Sequence, residues 1–302
     1  MTAMASERGD CGGHPAGPWS ADQYMAFEDE RTRPVRDLLA AIPSKEVRVA
    51  VDIGCGPGNS TEALAARFPQ AAVSGIDSSA DMIAAARKRL PQLHFELTDL
   101  ARWIAADATS VAPGPIDLIL ANAVLHWVPD HAALFPALIA KLAPRGTLAV
   151  QLPDNLDEPA QRSMREVAEA GPWSRKLAGA AAMRVPIASA ERYYTLLRPS
   201  CAAVDIWRTT YYHVLPDGER AIVEWFKGSG LRPFLAPLEE SEREAYLARY
   251  TAAVKSAYPP LSDGTVLLPF PRWFIVATRR EPVPSPSQRG SRAILRQAPS
   301  PP

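Results

Sequence analysis

With 302 residues, 47% of them hydrophobic, the chain can fill the core of one large domain or two small ones. Lys+Arg and Asp+Glu balance at 33 each, so no overall pull toward nucleic acid or an anionic membrane is expected, and an anionic ligand has to be met by local cations. Cys11, Cys55 and Cys201 stand far apart with no CxxC or Cys/His cluster, which argues against a disulfide framework and a metal site and for a reducing cytoplasm. No apolar h-region follows a basic start, and no eighteen apolar residues run together, so neither a secretory signal nor a membrane span is expected.

Residues 1–18 and 281–302 are rich in Gly, Pro, Ser and charge and are read as disordered tails around a domain at 19–280. Within it, "VRVAVDI", "AAVSGID", "LHFELTDL", "IDLILANAV" and "GTLAVQL" are short β-rich runs. They alternate with helically spaced segments such as "SADMIAAARKRL" and "HAALFPALIAKLA". This alternation predicts an α/β fold, a parallel sheet with helices on both faces. "APRG" reads as a helix stop and turn before the fifth strand. Further on, helices are expected at "EPAQRSMREVAEA" and "ASAERYYTLLR", and long strands at "AAVDIWRTTYYHVL" and "TVLLPFPRWFIVATRR". Between those two strands, residues 217–259 read as a helical cap over the carboxyl edge of the sheet, where open α/β sheets bind ligands.

The first strand runs into Gly54, Gly56 and Gly58, and a helix begins near Asn59. Glycine admits unusual backbone angles and leaves no Cβ between main chain and ligand. The dinucleotide pattern GxGxxG would need glycine at Asn59, which weakens a nicotinamide reading. Asp77 ends the second strand, where an acid can accept from both ribose hydroxyls, and Asp99 ends the third, where it could accept from an adenine amine. Both could instead cap a helix or turn. Cys55 reads as a small loop filler, because no His or second Cys is placed to activate it.

"VDIGCGPGNST", "GIDSS" and "DLILANAVLHWVPD", in this order, resemble the class I S-adenosylmethionine-dependent methyltransferases. The resemblance implies a Rossmann-like, seven-stranded, mostly parallel sheet with an antiparallel last strand. It also implies S-adenosylmethionine as cofactor, released as S-adenosylhomocysteine. Asp52 and the loop Gly54, Cys55, Gly56, Gly58 would hold the methionine portion, Asp77 with Ser78 the ribose, Met82 the adenine face, and Asp99 with Leu100 the adenine amine. Asn122 would lie beside the sulfonium. "YMAFEDERTRP", "LAVQLPDNLDEP", "MREVA", "VDIWRTTYYH", "GLRPFL" and "FPRWFIVA" extend the resemblance to members that esterify small tricarboxylates.

A small polycarboxylate carries nearly its full negative charge at pH 7, and burying that charge demands paired donors. Arg208, Arg232 and Arg272 each stand among apolar or aromatic residues, and guanidinium suits bidentate carboxylate recognition. A packed stem with a solvated head is the alternative for each. Tyr211 and Tyr212 alternate, so one of them is expected to face the pocket. Arg31 and Arg33 are further cation candidates, and Trp19 and Tyr24 could form a flap. His126 and Trp127 read as pocket walls or positioning groups, because a carboxylate nucleophile needs no base. A different acceptor (an acyl-carrier-bound dicarboxylate or a quinone-like ring) and a non-catalytic cofactor-binding module are the competing readings. A monomer or weak homodimer is expected, with no nucleic acid or membrane partner.

Overall fold

Strands β1 (Val49–Ile53), β2 (Ala72–Asp77), β3 (His94–Leu97), β4 (Ile116–Asn122), β5 (Leu142–Pro153), β6 (Cys201–Leu215) and β7 (Val266–Arg279) form one sheet in the order β3-β2-β1-β4-β5-β7-β6. The computed structural model describes residues 28–43, 46–106, 111–112, 114–184 and 186–282, without the side chains of 28–31 and 181. The expected tails lie outside the described residues, apart from 281 and 282, and so do Trp19 and Tyr24; the side chain of Arg31 does too. β7 runs antiparallel to both β5 and β6, and the other pairs are parallel. Every residue of β1 is buried, as continuous apolar runs are when helices cover both faces of a sheet.

On one face, α1 (Glu28–Ala40) and α2 (Asn59–Arg67) set Val35, Leu38, Leu64 and Phe68 against Ala50, Leu120 and Phe274. On the other, α4 (Leu100–Ala105), α5 (His131–Lys141) and α8 (Ala190–Leu197) bury Trp103, Phe135, Leu138 and Tyr193 against Ile53, Ile119 and Val150. Helix α3 (Ala80–Arg89) packs Ile83 and Ala86 with Phe95 and Cys55. Strand order reverses between β1 and β4, and in open α/β sheets the ligand crevice lies at such a switch point.

The segment expected as a cap contains α9 (Gly218–Lys227), α10 (Arg232–Leu235) and α11 (Glu240–Ala257), and it shares its core with α6 (Pro159–Ala170) and α7 (Ser174–Ala182). Trp173 meets Tyr246 edge-on at 5.5 Å, and the Tyr246 hydroxyl donates to the Met164 carbonyl at 2.8 Å. The apolar face of α9–α11 is thus closed by helices that precede β6 in the chain.

The fifth strand starts earlier than its sequence pattern predicts. Leu142 pairs with Ile116, then the register jumps so that Leu118 pairs with Thr147. The "APRG" turn is absorbed as a bulge inside β5, with Arg145 at φ 65°.

Candidate active site

The glycine loop leaves β1 with Gly54, Gly56 and Gly58 all at positive φ. At Gly54 a Cβ would stand 2.3 Å from Val124 Cγ2, so the residue must be glycine for the loop to pass β4. At Gly56 a Cβ would meet nothing within 4 Å: its missing side chain leaves open space beside the main chain. The loop is held from both sides. Gly54 and Cys55 N–H donate to the Ile76 carbonyl at 2.8 and 2.9 Å. Gly56 N–H donates to Asp77 Oδ2 at 3.0 Å, and Ser79 N–H to Asp77 Oδ1 at 2.9 Å.

Asp52 lies wholly buried beneath the loop. Its Oδ2 accepts from the Ser60 and Thr61 hydroxyls, each at 2.7 Å, and its Oδ1 has no partner among the described residues. Burial raises its pKa to about 7 against the hydroxyl bonds that pull it down. The carboxylate thereby ties β1 to the first turn of α2. Burial, then Asp52 and Asp77, push the Cys55 thiol well above its ordinary value, so it stays protonated and acts as filler.

Gly54, Gly56, Asn59 and Ser60 face a small pocket closed by Val35 of α1 and by Asn122 at the end of β4. Asn122 also lines a second, larger cleft between the strand ends and the cap. That cleft is partly open to solvent. Its walls include His126 and Trp127 after β4, Asn155 after β5, Gln161 of α6, Trp225 and Phe226 of α9, Phe270 and Arg272 of β7, and Arg184. Among the described residues, Arg184 and Arg272 are the only charged side chains in this lining, and no carboxylate belongs to it.

Arg272 is 5% exposed, donates to Gln151 Oε1 at 3.0 Å and sits 4.5 Å from the Phe270 ring centroid. Gln151 Nε2 has no partner among the described residues, as Gln151 spends its oxygen on the arginine. Arg184 donates to Asn155 Oδ1 at 2.9 Å and the Pro153 carbonyl at 3.3 Å, and lies 5.8 Å from the Trp127 ring centroid. Burial, then Arg165, lowers its pKa to about 10, which leaves it charged at neutral pH.

His126 sits in the turn Leu125–Trp127, buried, its ring 4.8 Å from that of Trp127. Burial, then Arg184 and Arg272, hold its pKa well below 6.5, so the imidazole is neutral at pH 7, and Nδ1 has no partner among the described residues. The turn is braced by His131, whose Nε2–H donates to the Leu125 carbonyl at 2.9 Å. Nδ1 of His131 therefore accepts from the Tyr193 hydroxyl at 2.8 Å. Ala123 enters this turn at φ 53°, held by its N–H to the Gln151 carbonyl.

Asp52, Asp77, Asp99 and Asn122 all stand at or just beyond the carboxyl ends of β1–β4. Met82 is buried in the first turn of α3, and Ser78 is exposed. Asp99 is exposed and accepts from Arg102 N–H at 2.8 Å, capping α4, whose first residue Leu100 is half-buried. Of the expected acceptor-binding residues, His126, Trp127 and Arg272 meet in the cleft.

The other described ones do not line it. Arg208 alternates away from Arg272, because the β6 residue facing Arg272 is Thr209, and it pairs with Asp154 at 2.8 Å. Arg232 opens α10, half-buried. Tyr211 packs on the α1 face, where its hydroxyl donates to Asp37 at 2.6 Å and Arg33 lies over its ring at 5.4 Å. Tyr212 is 63% exposed on the opposite side. Neither tyrosine faces the cleft, because α1 covers the inward side of β6 at that point. Sequence reading missed Arg184, although it stands among apolar residues in "AAMRVPIA", the same cue that drew attention to Arg272.

Residues 51–148 match the family model described as a methyltransferase domain. The trans-aconitate 2-methyltransferase of Rhodopseudomonas palustris (strain BisB18) is 54% identical over 261 residues, 86% of this chain and 99% of that protein. That of Yersinia pestis (strain Pestoides F) is 52% identical over 259 residues, 86% of this chain and 97% of that protein. Among solved structures, YcgJ of Bacillus subtilis aligns with a TM-score of 0.52 at 12% identity, over 83% of this chain and all of that one. Haemonchus contortus phosphoethanolamine N-methyltransferase 2, in complex with S-adenosyl-L-methionine, aligns at 0.51 and 13% identity, over 86% of this chain and 57% of that one. At such identities these two establish the shared fold alone.

Proposed function

The chain belongs to the trans-aconitate 2-methyltransferase family, and from that premise we propose that it is an S-adenosylmethionine-dependent O-methyltransferase that forms the monomethyl ester of trans-aconitate. The observation that carries the reading is Asn122, which lines both the glycine-loop pocket and the arginine-lined cleft and so makes donor and acceptor sites contiguous.

The residues at the loop fit the cofactor. Gly56 leaves main chain open to a ligand, Asp77 stands at the end of β2 for the ribose, and Asn122 offers a buried, unpartnered Oδ1 to a cationic methionine portion. Buried Met82, in the first turn of α3, and Asp99, just beyond β3, would take the adenine. S-adenosylmethionine supplies a methyl group on a positively charged sulfur, a leaving group that departs as the neutral thioether of S-adenosylhomocysteine.

The chain's own part is placement. A carboxylate oxygen is already a nucleophile at pH 7, so neutral His126 abstracts no proton and serves with Trp127 as a wall. An oxygen–carbon bond forms as the carbon–sulfur bond breaks, and no proton is released. The arginines hold the acceptor while Trp225 and Phe226 of the cap and Phe270 of β7 exclude water, so that reacting atoms meet in line.

Among the described residues no helix is long and apolar enough to cross a membrane, and no group of three or more His, Cys, Asp or Glu side chains could hold a metal ion. We read the enzyme as a cytoplasmic monomer or weak homodimer acting on a free small molecule. Incubation of the purified protein with methyl-labelled cofactor and trans-aconitate should yield a base-labile methyl ester. Absence of transfer to trans-aconitate, with transfer to an acyl-carrier-bound dicarboxylate or a quinone-like ring, would replace the acceptor.

A further inference from the structure

We propose that Arg184 is a specificity-determining residue that, with Arg272, makes the enzyme select acceptors by their number of carboxylates: two are anchored by the two guanidiniums, and a third is left for methylation. The inference rests on the proposed activity and adds to it the group that reads the charge of the acceptor.

Among the described residues the cleft has two fixed cations and no acid in its lining, so each guanidinium can meet one ligand carboxylate. Arg184 spends its hydrogen bonds on neutral acceptors, Asn155 Oδ1 and the Pro153 carbonyl, and its buried Nε has no partner among the described residues. Asp154 acts on it only through space and is itself bonded to Arg208 at 2.8 Å, so no carboxylate of the described wall is given over to Arg184, which is the state expected of a site completed by an anion. Arg272 is aimed by Gln151 and by the face of Phe270.

The polar groups that remain near β4 are uncharged. Neutral His126 and the acceptor oxygen of Asn122 offer a carboxylate no ion pair. A third carboxylate placed there keeps its lone pairs unengaged and able to attack, whereas one clamped by a guanidinium is a poorer nucleophile. Acceptors with only two carboxylates must leave one guanidinium buried without its counter-charge, and that penalty separates them from tricarboxylates.

The comparison to make is kcat/KM for trans-aconitate against fumarate, a dicarboxylate of the same trans geometry, in the wild-type enzyme and in Arg184→Gln. The wild type should prefer the tricarboxylate. In Arg184→Gln the tricarboxylate-to-dicarboxylate ratio should fall about tenfold or more, the equivalent of one lost charge-assisted bond, through a raised KM for trans-aconitate with the cofactor Kd unchanged. If Arg184 only braced the cap through Asn155 and Pro153, both acceptors would lose rate alike and the ratio would stand, which overturns the inference. Where Arg184→Gln fails to fold, Arg184→Lys keeps the charge but loses the fork; an intermediate fall in the ratio supports the inference and an unchanged ratio overturns it. Wild-type enzyme that transfers no methyl to trans-aconitate overturns the activity itself. Wild-type transfer with an unmoved ratio in the variants overturns this inference alone.

Discussion

Replacing Asp52 by Asn tests how the loop is held, through a dependence on pH that only the ionisable residue can have. Asp52 is wholly buried and its pKa is raised from 3.8 to about 7, chiefly by burial. A carboxyl whose folded pKa lies above its unfolded value contributes its full stability below the unfolded value and loses it as pH rises through the folded one. The window is therefore pH 4 to 7. Across about three pH units, at roughly 1.4 kcal/mol each, ionising Asp52 costs the folded state on the order of 4 kcal/mol. Asn has the same shape, keeps an oxygen in the place of Oδ2 for both the Ser60 and Thr61 hydroxyls, and cannot ionise; its buried NH2 in the place of Oδ1 meets no acceptor among the described residues, which costs about 1 kcal/mol at every pH. Urea unfolding should thus show the stability of Asp52→Asn rising relative to wild type by about 3 kcal/mol between pH 4.5 and pH 8, with the variant the more stable protein in base. Because all other groups titrate in both proteins, the variant-minus-wild-type difference isolates Asp52. A difference that is the same at both pH values would refute the buried, raised-pKa carboxyl.

Gly54→Ala should destabilise the protein by about 1–3 kcal/mol, since a Cβ would collide with Val124 at a residue held at φ 68°, and thermal unfolding measures it. The double variant with Val124→Ala should recover only part of the loss, because Val124 Cβ itself would stand 2.5 Å away and the backbone keeps its φ, so full recovery would exclude strain as a cause. Asp77→Ala removes the acceptor of both Gly56 and Ser79 N–H, and calorimetry should show S-adenosylmethionine binding weakened by about tenfold or more while the KM for the acceptor moves little. Equal effects on both ligands would contradict the separation of loop and cleft.

The strands, the glycine loop and the acids at the strand ends were legible because each is encoded within a few residues. An apolar run makes a strand, glycines with positive φ make the loop, and Asp99 is placed by the helix it caps. The cleft was legible only in part. Period-two alternation correctly sends Tyr211 and Tyr212 to opposite faces, but α1, nearly two hundred residues upstream by numbering, decides which face is covered and binds the Tyr211 hydroxyl to Asp37. Arg208 has the same aromatic surroundings as Arg272, and the pairing of Thr209 with Arg272 is what turns it outward to Asp154. Arg184 carries the same apolar surroundings in sequence as Arg272, but its place in the cleft depends on α6 and α7 closing against α9–α11, a long-range packing.

This difference follows from how the two halves of the site are built. The cofactor side hangs on consecutive strand ends at the switch point of the sheet, so chain order and spatial order nearly coincide there. The acceptor side is assembled from β4, β5, β7 and a cap drawn from both sides of β6, and its two cations come from residues 184 and 272. Asn122 belongs to both halves: it is the last residue of β4 and pairs in register with Gln151, the residue that aims Arg272. A shift of β4 against β5 by one residue would move Asn122 and the Arg272 support to opposite faces. In the proposed function the register between these two strands would align the methyl donor with the anchored acceptor, and the buried apolar residues Leu118 and Leu120 of β4 and Ala149 of β5 hold that register.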